Sequence, residues 1–196
     1  MNKLLTVLAL STLLFSCAEA PSPQLTYYLL NTPVVTPVKQ LPEKNNTGLV
    51  IDEIVLPQYL KQPSLVMLMA ENQLHFSHYH LWAESLEQSI HKVLWLLLTY
   101  PEQATQDNLF NKLHVTVEID NFFPSEQGKV ILSGRYWLTT SGSKVNKKLY
   151  KKYEYEFNFT QNINADGYSQ AVKQMLDLLE QLSKEINKKA IVLFAH

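Results

Sequence analysis

The sequence predicts one α/β domain of two layers: a mixed, mostly antiparallel sheet with two main helices packed on one face. Three observations lead there. Two long segments repeat apolar residues at steps of three and four, the spacing of a helix face. Several shorter segments alternate apolar and polar residues, the spacing of a strand with one buried face. Their order along the 196 residues is strands, helix, strands, helix, and a sheet with both helices on one side buries both apolar stripes.

The elements follow in chain order. Leu25 to Leu30 is a continuous apolar run of strand length, closed by Asn31-Thr32-Pro33, and reads as a buried strand. Pro33, Pro37 and Pro42, with Glu43-Lys44-Asn45-Asn46, mark a long loop. Gly48 to Leu56 is β-branched and apolar, a second strand ended by Pro57. Gln58 to Pro63 reads as a turn or a single helical turn, and Leu65 to Met69 as another strand. Asn72-Gln73 then turns a hairpin, with Leu74 to Ser77 returning. Leu81 to Tyr100 is the clearest helix, with Trp82, Leu86, Ile90, Val93, Leu94 and Leu97 on one face and Pro101 as its stop. Three alternating strands follow, carrying Leu113 to Ile119, Val130 to Leu138 and Leu149 to Phe159, with turns at Ser125 to Gly128 and Ser141 to Ser143. Asp166-Gly167 opens a last helix whose apolar face runs from Ala171 through Met175, Leu178, Leu179 and Leu182 to Ile186. The domain is expected over 25–189. The apolar tail 190–196 has three readings: a helix extension, an added strand or a docking segment.

Residues 1–16 form an address rather than a structural element. Lys3 supplies a positive start, and Leu4 to Phe15 an apolar stretch that suits a signal-peptide core. The stretch is too short for a bilayer span, which takes roughly 20 residues. It ends in Leu14-Phe15-Ser16-Cys17, which resembles the lipobox of bacterial lipoproteins, with small Ser16 before the cut and bulky Phe15 as a departure. That resemblance implies cleavage between Ser16 and Cys17, a diacylglyceryl thioether on Cys17 and acylation of the new amine. Two or three acyl chains make a stable anchor. Ala18 stands where enteric-type lipoproteins retained in the inner membrane carry Asp, which implies the outer membrane. Residues 17–24 then form a lipidated cysteine and a short, extended, Pro-containing tether.

Cys17 is the only cysteine, which excludes an intramolecular disulfide, a dithiol redox pair and a thiolate zinc cage. A formal net charge of −1 gives no whole-molecule attraction for nucleic acid. No nucleophile elbow, HExxH or phosphate-cradling glycine loop occurs, so the chain does not read as an enzyme and no cofactor is expected. His75, His78 and His80 suggest a metal. On a strand, however, His75 opposes the other two, no Glu or Cys stands at ligand spacing, and the segment reads as a loop leading into the helix. Lys144, Lys147, Lys148, Lys151 and Lys152 crowd one hairpin. They read either as a contact for lipid headgroups or an acidic partner, or as a solvated strand edge. Met67 and Met69 read as core rather than as an adaptable groove. Trp82 reads as a core residue at the helix start, with Glu84 placed to suit the helix dipole.

Leu56-Pro57-Gln58-Tyr59-Leu60-Lys61-Gln62-Pro63, Asn72-Gln73-Leu74 and Trp82-Ala83-Glu84-Ser85-Leu86 resemble the PqiC/YmbA lipoproteins, the ABC-type transport auxiliary lipoproteins. Tyr28-Leu29-Leu30 and the Gly134-x-x-Trp137 strand fit the same pattern, over about residues 25–187. Leu81 stands in place of the family's usual Arg, and Ser85 in place of its Pro. The resemblance implies a non-enzymatic, outer-membrane lipoprotein facing the periplasm. Its partner would be an MCE-domain tunnel protein of an intermembrane lipid transport system (PqiB-like), and it leaves self-association open. It points to Trp82, Glu84 and Tyr59 as partner-binding residues, to which the lysine cluster adds Lys147, Lys148 and Lys151. Two other functions fit the same composition: a lipid carrier with its own acyl-chain pocket, and a structural lipoprotein of envelope assembly.

Overall fold

A computed structural model gives the fold, and the structure describes residues 23–30, 49–70, 72–98, 113–140 and 151–194. Ser16 and Cys17, the tether up to residue 22, the proline-rich loop, Tyr100-Pro101, Lys144, Lys147 and Lys148 lie outside the described residues. The elements are β1 (Thr26–Tyr28), β2 (Leu49–Val55), a 3-10 turn (Gln58–Lys61), β3 (Ser64–Leu68), β4 (Leu74–Trp82), α1 (Leu86–Leu97), β5 (Leu113–Ser125), β6 (Lys129–Thr140), β7 (Lys152–Asn162) and α2 (Tyr168–Phe194). The expected two-layer domain with a mixed sheet and two helices is what forms.

The sheet runs β1-β4-β3-β5-β6-β7, with β2 also paired to β5. Its longest ladders are antiparallel, β5 with β6 and β6 with β7. Parallel pairs join β1 to β4, β2 to β5 and β3 to the end of β5. Alternation explains the long strands directly: Leu113, Val115, Val117 and Ile119 of β5, and Val130, Leu132, Tyr136 and Leu138 of β6, are all buried on the helix side. The phase slips at Asp120, where Ile119 pairs with Gly134 but Asn121 pairs with Ser133. This one-residue bulge turns Phe122 into the core in place of Asn121. Gly134 is required opposite it, because a Cβ there would lie 2.1 Å from the Glu118 carbonyl oxygen.

Both helices present the stripes read from the sequence. Leu86, Ile90, Val93 and Leu94 of α1 are buried, as are Met175, Leu178, Leu179, Leu182, Ile186 and Ala190 of α2. The helices meet each other at their C-terminal ends, where the Asn187 amide donates to the Leu97 carbonyl at 3.1 Å. On the sheet side, Gln161 of β7 donates to Asp177 at 3.3 Å, and the buried Tyr136 hydroxyl donates to Glu185 at 3.2 Å. Burial first, and then the Glu185 carboxylate, push that hydroxyl far above its ordinary value, so it remains a donor. The tail continues α2 to Phe194, which is the first of its three readings.

Three expectations are corrected. The helix begins at Leu86 rather than Leu81, because Leu81 and Trp82 are held in β4 by pairing with Tyr27 and Tyr28. The histidine segment is strand rather than loop. The apolar run Leu25 to Leu30 is not a buried strand: among the described residues β1 pairs only with β4 and lies at the edge of the sheet, and Leu25, Tyr27 and Leu29 are exposed. Periodicity cannot separate an edge strand with apolar side chains from an interior one.

Candidate functional site

Of the residues singled out from the sequence, Trp82 and Glu84 stand at the entrance of α1 and Tyr59 reaches the bulge of β5. At the entrance, Trp82 closes β4 with only 6% of its surface exposed. Its N–H donates to the Pro63 carbonyl at 2.7 Å, and the Ala83 N–H donates to the Tyr28 carbonyl at 2.8 Å. The end of β4 is thereby tied to the segment leading into β3 and to β1. Ser85 is the N-cap of α1, its hydroxyl accepting from the Gln88 N–H at 3.3 Å. Its φ of −60° is the value a proline ring imposes, so the family's Pro and this chain's Ser suit the same backbone.

Glu84 stands just before the helix rather than in its first turn, which carries Glu87 instead. It accepts from the Ser89 hydroxyl at 2.7 Å and pairs with Lys92. The Lys92 and Ser89 hydrogen bonds hold its carboxyl below the usual carboxylate range. The geometry is a local clasp: one carboxylate holds the first two turns of α1 against the end of β4.

Tyr59, on the 3-10 turn, reaches across to the bulge. Its hydroxyl donates to the Asp120 carbonyl and lies 3.3 Å from Asn121 Oδ1, while its ring packs against Phe123. Burial, then the Asp120 charge, raise its ionisation above the ordinary phenol value. Two shallow depressions flank this link. One is lined by Gln58, Tyr59, Gln62, Ser64 and Phe76, the other by Asp120, Ser133, Gly134, Arg135, Glu156 and Asn158. Both are surface hollows rather than enclosed chambers. Asp52 and His114 pair at 2.7 Å between β2 and β5.

The histidines do not converge. β4 carries three extra residues against β3, since Ser64 pairs with Leu81 and Val66 with Phe76. The buried Ser77 hydroxyl accepts the bulged His80 N–H at 3.1 Å. His80 shares a hydrogen bond with the Tyr28 hydroxyl at 2.9 Å and stacks on Tyr168 at 3.8 Å, whereas His78 meets Tyr79 edge-on. Among the described residues no three His, Cys, Asp or Glu side chains are placed to hold a metal. Of the lysines, Lys151 is exposed and trades hydrogen bonds with Thr140 just before β7, and Lys152 lies over the Trp137 ring at 4.4 Å. Met67 is half-buried beside β4. Sequence spacing gave no signal for the Tyr59–bulge link or for Ser77, because both depend on where the register of a hairpin slips, and the first also joins residues far apart in the chain.

The profile of the family described as "ABC-type transport auxiliary lipoprotein component" matches residues 28–187. The chain is 25% identical over 171 residues to the intermembrane transport lipoprotein PqiC of Escherichia coli (strain K12), covering 82% of this chain and 83% of the relative. The PqiC of Shigella flexneri matches to the same extent. Two crystal structures share the fold. An uncharacterised protein aligns with a TM-score of 0.65 at 19% identity over 85% of this chain and 99% of its own. A Xanthomonas campestris protein aligns at 0.55 and 10% identity, over 86% and 93%. With the strand order, the helix entrance and the 3-10 turn all falling inside the matched segment, the chain belongs to the ABC-type transport auxiliary lipoprotein component family.

Proposed function

We propose that this chain is an outer-membrane lipoprotein facing the periplasm, anchored through Cys17, that serves an intermembrane lipid transport system by docking on an MCE-domain tunnel protein. The family match over residues 28–187 carries the reading, because that family supplies auxiliary lipoprotein subunits of transport systems. The PqiC relatives are named for intermembrane transport. The filled core agrees with a docking rather than a carrying role: Ile90, Leu94, Val115, Val117, Leu178, Leu179, Leu182 and Ile186 are all fully buried where sheet and helices meet. No helix among the described residues is long and apolar enough to cross a membrane; in this reading the acyl chains on Cys17 supply the attachment. The protein acts without catalysis, and the tether raises the local concentration of its docking surface.

Two experiments test this. Cys17→Ala leaves the domain folded and releases it from the outer-membrane fraction; a variant that still sediments with that fraction overturns the anchor. In-cell crosslinking followed by purification captures an MCE-domain protein; a clean capture without one overturns the docking role.

A further inference from the structure

The edge formed by β1 and β4 breaks the usual rule for apolar runs. Leu25, Tyr27, Leu29 and Tyr79 are 54%, 59%, 44% and 45% exposed. With Phe76, they are five of the nine large apolar side chains exposed among the described residues, all on or beside these two strands. They share a face. Tyr27 pairs with Leu81, which sets Tyr27, Tyr79 and Leu81 on one side of the sheet, while Tyr28 and His80 meet Tyr168 of α2 on the other. The strip is also free of fixed charge. Residues 21–30, β3 and β4 contain no Asp, Glu, Lys or Arg.

Position in the chain selects the occupant. Leu25 follows Cys17 by eight positions. At about 3.3–3.6 Å per extended residue, the tether keeps the strip within roughly 28 Å of the lipidated sulfur. The other exposed apolar side chains, Trp95, Leu96, Ile191 and Val192, sit on the C-terminal parts of the two helices. Tyrosines with apolar neighbours and no fixed charge are what the boundary layer of a bilayer accommodates. That layer is wet, so the outer backbone groups of the edge strand β1 keep hydrogen-bond partners there. The far wing instead carries fixed charges of both signs, Glu118, Asp120, Arg135, Lys152, Glu154 and Glu156, which favour water over the apolar side of that layer.

We propose that the β1–β4 edge, with Leu25, Tyr27, Leu29 and Tyr79, lies in the interfacial layer of the membrane that holds the chain, fixing which way the rest of the domain faces. The proposal rests on the Cys17 anchor. Because the lipidated Cys17 carries no free thiol, single cysteines can be introduced for nitroxide labelling: Tyr27→Cys, Tyr79→Cys and, as the far-wing control, Glu156→Cys. Full-length lipidated protein is reconstituted in phosphatidylethanolamine/phosphatidylglycerol vesicles. Accessibility to oxygen is then compared with accessibility to a water-soluble nickel chelate. The expected result is an oxygen-to-chelate ratio severalfold higher at 27 and 79 than at 156. Equal, water-like ratios at all three positions on acylated, vesicle-bound protein overturn the proposal and leave the anchor standing. Labels at 27 and 79 shielded from both reagents already in detergent also overturn it, in favour of a second copy or a protein partner. Intact mass without acyl chains and failure to float with vesicles overturn the anchor reading and this inference with it.

Discussion

The two wings of the sheet are built from different materials. β5, β6 and β7 are long and paired along their length but for the single bulge at Asp120, and their outer face carries Glu118, Asp120, Arg135, Lys152, Glu154 and Glu156. β1, β4 and β3 are shorter, shift register by three residues within one pair, and carry no fixed charge. The long wing alternates as an amphipathic sheet should, so its pattern leaves little doubt which face is wet. The short wing is apolar on both faces, and the helices cover only one. A strand can therefore read as core and still face outward, and that mismatch marks a surface made to meet something other than water.

Substitutions can break or sharpen this contrast. The largest effect belongs to the long wing. Gly134→Val forces a side chain where a Cβ alone would sit 2.1 Å from the Glu118 carbonyl oxygen. It should cost more than about 4 kcal/mol or prevent folding, measured by thermal or denaturant unfolding. On the short wing, Trp82→Ala should cost about 3–5 kcal/mol, because the ring is buried. A loss below 1 kcal/mol would mean that Trp82 serves partner contact more than the core. Ser77→Ala removes the acceptor for the His80 N–H and should cost about 1–2 kcal/mol in the same assay.

Smaller effects test the helix entrance and the exposed strip. Glu84→Gln should cost about 0.5 kcal/mol at neutral pH, the scale of a surface ion pair. Because the Glu84 carboxyl is held below its ordinary value, its contribution is complete above the ordinary carboxylate range and disappears as pH falls through the lowered one. Unfolding curves of the two proteins should therefore converge in acid. Tyr27→Ser should change the stability of the domain in water by less than about 0.5 kcal/mol, since that side chain is mostly solvated already. A large loss would show that the strip supports the fold rather than facing outward.

The helix stripes, the alternation of the three long strands and the hairpin at Asn72-Gln73 were legible from residue order, because periods of 3.6 and 2 are local properties of the chain. Where Glu84 and Tyr59 bind was not. The carboxylate closes on Ser89 and Lys92 only because β4 runs on to Trp82 and delays the helix, and the phenol finds Asp120 only because β5 slips by one residue. Residue order thus determined the two helix stripes, the long alternating strands and which side chains are apolar, but not that β4 runs on through the histidines to Trp82. Tertiary pairing decided which strand became the edge, where each register slips and which apolar face was left uncovered. Those choices depend on contacts between residues far apart in the chain, which no local period encodes.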